Sequence, residues 1–388
     1  METTALDGLT LRCGACGRGH KLAELAWRCA DCGGVLDLAG FTPAVPPLSV
    51  IAQRRPTLWR YAEALPIDEP ADVSLGEGMT PLVTAPDDPG VLLKVDYLMP
   101  SGSFKDRGAV LLAALARRLG VPRMVADSSG NAGSAVAAYA ARAGIACEVY
   151  VPAATSAGKV AQLRAYGATV RQIPGSREDT AAAAAEAADQ PGTFYASHVY
   201  HPFFLQGMKT YAFELWEQLG GRLPATLVLP VGNGTLVLGA YLGCRDLLDQ
   251  GLISRLPRIV AVQAAGCAPL ARAFTGGEAV PAEIVGEPTI AEGIAIARPA
   301  RGAQILAAVR DTGGAIVTVT DEQVNAAHSA LARAGLYVEP TAAACWAALQ
   351  AGLVDTGLRP DGGPTAVAPL CGSGLKAKPP AVPAVPAD

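Results

Sequence analysis

The sequence predicts an α/β protein with mostly parallel sheets that are covered by helices on both faces. Three observations support this fold class. From about residue 74 onward, short β-type runs alternate with longer helical runs, which is typical of parallel sheets. Glycines stand where several of the helices should end. Hydrophobic residues make up 51% of the 388-residue chain, which is enough for one large core or two modest ones.

The individual elements follow from short apolar runs and from longer segments of helical length and period. The predicted strands are residues 91–95, 124–126, 146–151, 169–173, 226–231, 258–263, 315–319 and 365–370. The predicted helices are residues 107–119, 132–143, 157–166, 180–188, 206–219, 236–248, 321–334 and 342–351. Residues 41–70 contain six prolines and are predicted to be a connecting segment, and the C-terminal KAKPPAVPAVPAD is predicted to be disordered.

Charge and composition exclude several function classes. The formal net charge is −4, so no strong positive field favours nucleic acid or an anionic membrane. We find neither a basic-then-apolar leader pattern nor an apolar run near the roughly 20 residues that a membrane span needs. Nine cysteines suit a reducing compartment with a metal site. We therefore expect a cytoplasmic protein that acts on a small molecule.

Four cysteines near the N-terminus form two C-x-x-C pairs that are separated by twelve residues: Cys13, Cys16, Cys29 and Cys32. Neighbouring glycines allow tight turns around a metal ion. Paired C-x-x-C units are typical of a closed, tetrahedral structural zinc site. The gap is a little shorter than the usual spacing, and His20 within it is an alternative ligand; four unrelated buried cysteines are the alternative without metal. We predict a structural Zn²⁺ that stabilises a segment too small for its own core.

Lys105 stands at the start of a predicted helix, within S-G-S-F-K-D-R-G. Ser103 and Asp106 have the spacing of a capping box, so a simply capped helix start is one interpretation. Two further segments also lie between a strand and a helix, namely S-S-G-N-A-G at 128–133 and G-N-G-T at 232–235. Helix starts with small residues are anion sites suited to a carboxylate and a phosphate. A lysine whose pKa is lowered at a helix start is suited to imine formation, and pyridoxal phosphate needs such a lysine together with a phosphate site.

Taken together, these motifs resemble the fold-type-II pyridoxal-phosphate enzymes, and most closely the threonine synthases. The resemblance covers about residues 74–376 and includes E-G-M-T-P-L, E-P-T-A-A and C-G-S-G-L-K. It implies two open α/β domains with a cofactor cleft between them, a homodimer, and a small N-terminal zinc ribbon. The implied division is a zinc-ribbon-like segment at 1–40, a large domain at 41–110 and 200–376, a small domain at 111–199 and a tail at 377–388.

The resemblance also assigns roles to individual residues. Lys105 is the implied Schiff-base lysine and general base, and Asn131 the residue that holds the 3′-oxygen of the cofactor. The implied phosphate-binding residues are Gly232, Asn233, Gly234 and Thr235. The implied substrate-binding residues are Ser101, Ser128, Ser129 and Gly130. Residues 366–376 contain no Asp or Glu, so a neutral partner is expected at the ring nitrogen. That partner is Cys371 in the family's frame, with Ser373 as a substitute.

One stretch departs from the threonine synthase pattern Asn-Pro-x-Arg-x-x-Gly-Gln-Lys-Thr. His201 and Phe204 stand at the positions of the Asn and the Arg, which in the family help to hold the phosphate of phosphohomoserine. Losing the guanidinium removes a charge-assisted contact of about 1.5–3 kcal/mol, so we expect a changed substrate. Lys159, Arg164 and Lys209 remain candidates for an anionic leaving group, and His198 and His201 for acid–base chemistry.

Three functions are therefore compared. The first is a lyase or replacement enzyme of the threonine synthase group that acts by α-proton abstraction and β- or γ-elimination. The second is a serine or threonine dehydratase, which Glu292 in T-I-A-E-G-I favours because it resembles the acidic position of threonine dehydratase. The third is a non-catalytic relative in which the zinc ribbon recruits a partner. The intact Lys105, Asn131 and glycine motif favour an enzyme.

Overall fold

The chain is organised around three sheets in the part described by this computed structural model, which comprises residues 6, 8–70, 72–155, 157–355 and 363–377. The side chains of Lys159 and Arg177 lie outside the described part, and so do residues 378–388 of the predicted disordered tail. In chain order, the strands are β1 (Thr10–Cys13), β2 (Gly19–Lys21), β3 (Leu36–Ala39), β4 (Leu82–Ala85), β5 (Asp88–Lys94), β6 (Arg123–Ala126), β7 (Ala146–Pro152), β8 (Thr169–Ile173), β9 (Thr193–Tyr195), β10 (Thr226–Pro230), β11 (Arg258–Ala264), β12 (Ala315–Val319) and β13 (Ala366–Pro369).

Helices cover the two larger sheets. In chain order, they are α1 (Leu48–Ile51), α2 (Asp106–Arg118), α3 (Asn131–Arg142), α4 (Ala157–Ala165), α5 (Arg177–Ala188), α6 (Pro202–Met208), α7 (Thr210–Gln218), α8 (Thr235–Asp249), α9 (Pro269–Thr275), α10 (Gly302–Asp311), α11 (Asp321–Arg333) and α12 (Pro340–Gln350). Short 3-10 helices lie at Leu22–Glu24, Leu58–Ala64, Asp96–Leu98, Glu292–Ile294 and Gly374–Lys376.

The largest sheet has the strand order β12-β11-β10-β13-β5-β4. Its strands are parallel except for the edge strand β4, which runs antiparallel to β5. Every residue of β10 and β13 is buried, as expected for central strands with helices on both faces. The second sheet is wholly parallel, has the order β8-β7-β6-β9, and is formed between α2 and β10 along the chain.

The third sheet carries the cysteine pairs and is antiparallel, with the order β2-β1-β3. It is not an independent unit, because Leu11 and Leu36 are buried within the main hydrophobic core of the molecule. A three-stranded sheet of this size buries too little apolar surface to be stable alone, so docking on the rest of the chain contributes to its stability.

A buried charge network fixes α2 against its neighbours. The Arg107 guanidinium is fully buried and binds Asp96 at 2.8 Å and Glu214 at 2.5 Å. Lys94 at the end of β5 also reaches Glu214, at 2.7 Å. Because an unpaired buried charge is strongly unfavourable, these partners hold the first turn of α2 between β5 and α7.

The fold class predicted from the sequence is confirmed, whereas some elements differ. The predicted helix 206–219 is interrupted at Lys209 and forms α6 and α7. The predicted connecting segment 41–70 contributes Leu58, Trp59 and Tyr61 to the core. The predicted domain limits stay predictions. Within the described residues, no helix has the length and apolar character that a membrane crossing requires.

Candidate functional site

Lys105 lies where the first turns of two helices meet. It is the residue preceding α2, and its Nζ lies 3.0 Å from the hydroxyl oxygen of Thr235, the first residue of α8. The side chain is half-buried. The ring centroids of Phe104 and Phe204 lie 4.6 and 5.7 Å from Nζ, so the amine has an aromatic wall on one side.

The surroundings of Lys105 increase the fraction of its side chain that is a neutral amine. Burial lowers the pKa of Lys105 to about 8, whereas the nearby Cys371 and Glu339 act in the opposite direction. At pH 7 a group with a pKa of 8 is about 10% neutral, against about 0.03% for an ordinary lysine. A nucleophilic lysine needs this shift, because only the neutral amine attacks a carbonyl.

The turn before α2 is held by Asp106, the first residue of that helix. The Asp106 carboxylate accepts hydrogen bonds from the Ser101 amide, at 2.7 Å, and from the Ser101 hydroxyl. The hydroxyl group of Tyr139 approaches the same carboxylate at 3.4 Å. The capping pair of Ser103 and Asp106 therefore does not form. Ser101 binds Asp106 and positions the lysine turn, and its predicted contact with substrate stays a prediction.

The glycine loop, residues Gly232–Thr235, connects β10 to α8. Gly234 has a φ of +77°, and a Cβ atom there would lie 2.2 Å from Cδ1 of Ile305. A Cβ atom at Gly232 would lie 2.9 Å from a side-chain carbon of Ile296. Only glycine fits at either position. The loop therefore presents backbone at a helix start, which is the geometry that binds phosphate groups.

The segment before α3 comes from the other large sheet, since it follows β6. Gly130 is the residue preceding α3, and no described side chain caps this helix start. The Ser128 hydroxyl accepts a hydrogen bond from the Gly130 amide at 3.3 Å. Ser129 and Gly130 are half-buried beside it. The side-chain amide nitrogen of Asn131 donates to both carboxylate oxygens of Glu339, at 2.9 and 3.0 Å. This contact joins a residue that follows β6 to the residue that precedes α12, so it connects segments of the two large sheets.

Cys371 and Ser373 have different surroundings. Cys371 is buried, and its carbonyl oxygen accepts a hydrogen bond from the Phe104 amide at 3.0 Å. Burial raises the pKa of the Cys371 thiol, and Glu339 raises it further, so the thiol stays neutral. The Ser373 hydroxyl instead accepts from the Leu375 amide at 3.3 Å. The Cys371 thiol is close enough to Lys105 and Glu339 for their charges to act on its pKa.

His201 and Phe204 have local roles in the structure. The Nδ1 atom of His201 accepts a hydrogen bond from the Phe203 amide and so begins α6. Burial, with a contribution from Arg301, lowers the pKa of His201 to about 3, so the ring is neutral. Phe204 is fully buried against Gly108 in α2. Neither side chain offers a charge or an exposed surface to a substrate.

Two of the three candidate cations for an anionic leaving group have side chains in the described part of the chain. Lys209 is buried and bonded to Asp246 at 2.7 Å. Arg164 is exposed on α4. The Lys159 side chain lies outside the described part of the chain.

Glu339 and Ser103 were not among the predicted site residues. A Cβ atom at Gly372 would lie 2.4 Å from the Glu339 carboxylate, so Glu339 covers this glycine next to Cys371. The only sequence signal for Glu339 was E-P-T-A-A, which also fits a helix start.

The Ser103 hydroxyl is fully buried two residues before Lys105, and no described group is its partner. An unpaired buried hydroxyl beside the lysine fits a polar ligand there.

The four cysteines of the two C-x-x-C pairs converge. Their sulfur atoms all lie within 4.8 Å of one another, with Cys13–Cys32 and Cys16–Cys29 at 3.5 Å. Four thiolates at the usual Zn–S distance of about 2.3 Å in a tetrahedron have sulfurs about 3.8 Å apart. The quartet therefore fits one Zn²⁺ ion. The His20 ring lies nearby and is 3.5 Å from Glu24.

Comparison with known proteins adds independent findings. Residues 73–372 match the family described as "Pyridoxal-phosphate dependent enzyme". The chain is similar to the threonine synthase of Methanosarcina acetivorans, with 34% identity over 358 residues, which are 90% of this chain and 87% of that protein. It is also similar to the threonine synthase of Mycobacterium leprae, with 38% identity over 330 residues, 81% of this chain and 87% of that protein. Among solved structures, a threonine deaminase from T.th. superposes with a TM-score of 0.63 and 28% identity, covering 76% of this chain and 92% of that one.

Proposed function

The chain belongs to the family of pyridoxal-phosphate dependent enzymes, and on that premise we propose that Lys105 binds the cofactor covalently in an enzyme of the threonine synthase group. The proposed reaction begins with removal of the α-proton of an amino acid and continues with elimination or replacement of a β- or γ-substituent. The observation that carries the proposal is the 3.0 Å contact between Lys105 Nζ and Thr235, since it joins a lysine of lowered pKa to the glycine loop.

When bound, pyridoxal phosphate supplies an electron sink for the α-carbon. The residues of this chain bind, orient and move protons. The glycine loop would hold the phosphate through backbone N–H groups and the start of α8. Ser128, Ser129 and Gly130 would receive the substrate carboxylate at the start of α3. Asn131, fixed by Glu339, would donate to the 3′-oxygen of the ring.

Lys105 would act as the general base. Its neutral Nζ would take the α-proton of the bound amino acid, and the lowered pKa keeps a useful fraction neutral near pH 7. Cys371 would face the ring nitrogen with an uncharged thiol. A neutral partner at this position would favour elimination and replacement over transamination.

We further propose that the leaving group is not the phosphate of phosphohomoserine bound in the usual way. The support is that Phe204 and His201 are buried and uncharged, and that Lys209 is paired with Asp246. A phosphate on the substrate would thus lack the charge-assisted contacts that these positions provide in the family. An uncharged ester or hydroxyl leaving group is favoured.

A serine or threonine dehydratase is the second candidate. It is supported by the likeness to the threonine deaminase from T.th. and by the position of Glu292. The 3-10 helix Glu292–Ile294 borders the glycine loop, because a Cβ atom at Gly232 would lie 3.0 Å from Cα of Ile294. Formation of a keto acid from serine or threonine would favour this candidate.

The first experiment locates the cofactor lysine. Purified protein is reduced with borohydride in the presence of pyridoxal phosphate, digested, and searched for a pyridoxyl-modified peptide by mass spectrometry. We expect the modification on Lys105, its absence from Lys105→Arg, and its persistence in the control Lys21→Arg, which changes an exposed lysine in β2. Modification at another lysine would refute the role of Lys105. A colourless protein with no modified lysine would refute the proposal and favour a non-catalytic relative.

The second experiment identifies the leaving group. Serine, threonine, and the phosphorylated and acetylated forms of serine and homoserine are tested for release of phosphate, acetate or keto acid. We expect turnover of an acetyl ester or a free hydroxyl substrate. Turnover of phosphohomoserine alone would contradict the argument from Phe204 while leaving the role of Lys105 intact.

A further inference from the structure

Arg301 is a buried arginine that uses every one of its N–H donors. Its side chain is inaccessible to solvent. The five N–H groups of a guanidinium form a fixed fork, so five acceptors around it define its position closely. At distances of 2.7–2.8 Å, the acceptors are the carbonyl oxygens of Leu36, Val199 and Tyr200 and the side-chain oxygens of Asp37 and Gln304.

These acceptors come from separate parts of the molecule. Leu36 and Asp37 belong to β3, in the sheet that carries the cysteine quartet. Val199 and Tyr200 immediately precede α6. Gln304 lies in α10 and also donates to the Asp37 carboxylate at 2.8 Å, so Asp37 is bound twice. Arg301 therefore ties the N-terminal sheet to two segments of the rest of the chain.

The first of these segments leads to the lysine. Tyr200 is followed by His201, which begins α6. Within α6, Phe204 packs on Gly108 and has its ring centroid 5.7 Å from Lys105 Nζ. The crossing of α6 and α2 is tight, since a Cβ atom at Gly207 would lie 1.9 Å from the carbonyl oxygen of Arg107. We therefore expect a shift at residues 199–200 to displace Phe204, which lies beside Lys105.

The second segment leads to the glycine loop. Arg301 is the residue preceding α10, and the Ile305 amide donates to its carbonyl oxygen at 3.0 Å. Ile305 fills the space left by the missing side chain of Gly234, at the start of α8. Because Ile305 packs directly on Gly234, we expect movement at the start of α10 to displace the glycine loop.

We infer that Arg301 is a positioning residue that couples the cysteine-bearing sheet to the cofactor site, through α6 on the lysine side and α10 on the phosphate side. The inference rests on the proposed roles of Lys105 and the glycine loop. On this inference, the N-terminal sheet helps to position the cofactor site in addition to stabilising the fold. A lysine at position 301 keeps the charge but offers three donors from one nitrogen, so it cannot satisfy acceptors on all sides.

Three variants test the inference in the full-length protein. Arg301→Lys removes the guanidinium group. Asp37→Asn weakens the contact between the N-terminal sheet and Arg301, and it leaves Arg301 bonded to residues 199 and 200. The control Arg310→Lys changes an arginine of the same helix, α10, that binds the carbonyl of Glu278 at 2.7 Å at the surface. Apo-protein is titrated with pyridoxal phosphate and followed by visible absorbance, and urea unfolding of the same samples reports stability.

We expect Arg301→Lys and Asp37→Asn to weaken binding of pyridoxal phosphate by about 10-fold, the lower end of the range for residues that orient metal ligands from outside a site. The folded fraction in the assay buffer should equal that of the unchanged protein, and the control should bind normally. If Arg301→Lys does not fold, Asp37→Asn carries the test.

The outcomes separate the two proposals. A parent protein that does not bind pyridoxal phosphate refutes the proposed function. A parent protein that binds it, with both test variants binding equally well, overturns the role of Arg301 alone. Equal weakening in the Arg310→Lys control also overturns it, because the effect would then be general loosening of α10.

Discussion

The side-chain amide of Asn131 donates to both carboxylate oxygens of Glu339, at 2.9 and 3.0 Å. Asn131 begins α3 beyond the four-stranded sheet, and Glu339 precedes α12, which packs on the six-stranded sheet. The pair therefore connects the two sides of the site. It also brings a negative charge close enough to Lys105 to raise the pKa of that lysine against the effect of burial.

Replacing Glu339 with glutamine should shift the pH dependence of cofactor capture. Glu339→Gln keeps an acceptor for Asn131 but removes the charge, so the pKa of Lys105 should fall below its present value of about 8. Because the neutral amine attacks the aldehyde, the rate at which apo-protein captures pyridoxal phosphate should reach its half-maximum at a lower pH. The rate is measured by visible absorbance between pH 6 and about 10, a range that brackets the titration.

The matched control for this shift is Glu278→Gln, which removes an exposed carboxylate after α9. Its midpoint should equal that of the unchanged protein. A midpoint for Glu339→Gln that stays the same or moves to higher pH would show that Glu339 does not act on Lys105.

Much of the site's framework was predictable because its parts are local in sequence. Each of Lys105, Asn131 and Thr235 stands at or next to a helix start that follows a strand, and periodicity identifies such junctions. The cysteine quartet was predictable for the same reason, since its two C-x-x-C pairs are close together in the sequence. The parallel order of the central strands follows from the alternation of strands and helices.

The remaining features depend on contacts between distant residues. Glu339 is 208 residues from Asn131, and Arg301 is more than 260 residues from Leu36 and Asp37. Nothing local distinguishes Arg301 from the other arginines of the chain. Ser101 displaces Ser103 as the partner of Asp106 because the turn folds back on itself, which spacing does not reveal. The short strands β4 and β9 have too few residues for a clear period.

Phe204 and Gly108 should behave as a coupled pair. An added methyl group at Gly108 would lie 2.5 to 2.6 Å from ring atoms of Phe204, so Gly108→Ala should destabilise the fold by about 1–3 kcal/mol. Adding Phe204→Leu should recover part of that loss, because the smaller side chain makes room. Urea unfolding of the two single variants and the double variant gives the coupling energy.

Gly158 provides the matched control for that pair. It lies in α4, and none of the described atoms lies within 4 Å of a Cβ placed there. Gly158→Ala should therefore be neutral or stabilising, by up to about 1 kcal/mol. Strictly additive effects of Gly108→Ala and Phe204→Leu would contradict the packing described above.

The cysteine quartet should bind one metal ion per chain. Cys13→Ser removes one of four converging sulfurs, so we expect loss of bound zinc and a lower unfolding temperature, because Leu11 and Leu36 of the same sheet pack in the main core. Zinc is measured by elemental analysis of the purified protein. Cys147→Ala, which changes a buried cysteine outside the quartet, should retain the metal. Full zinc content in Cys13→Ser would show that the quartet is not the site.

Asp106 should make the folded protein less stable as the pH rises from about 4 to 6. Burial raises the pKa of this carboxyl from 3.8 to about 6, although hydrogen bonds from Ser101 act in the opposite direction. Between these two values the folded chain binds more protons than the unfolded chain, so this group lowers stability as pH increases. A shift of about two units corresponds to about 3 kcal/mol.

Asp106→Asn removes this titration, so the free energy of unfolding of the variant minus that of the unchanged protein should increase with pH through the same window. Urea unfolding at closely spaced pH values measures this difference. The matched control is Asp249→Asn, which alters an exposed carboxylate at the end of α8. A flat difference for Asp106→Asn would mean that the carboxylate stays ionised throughout. The hydrogen bonds from Ser101 and Tyr139 would then outweigh the cost of burying the charge beside Lys105.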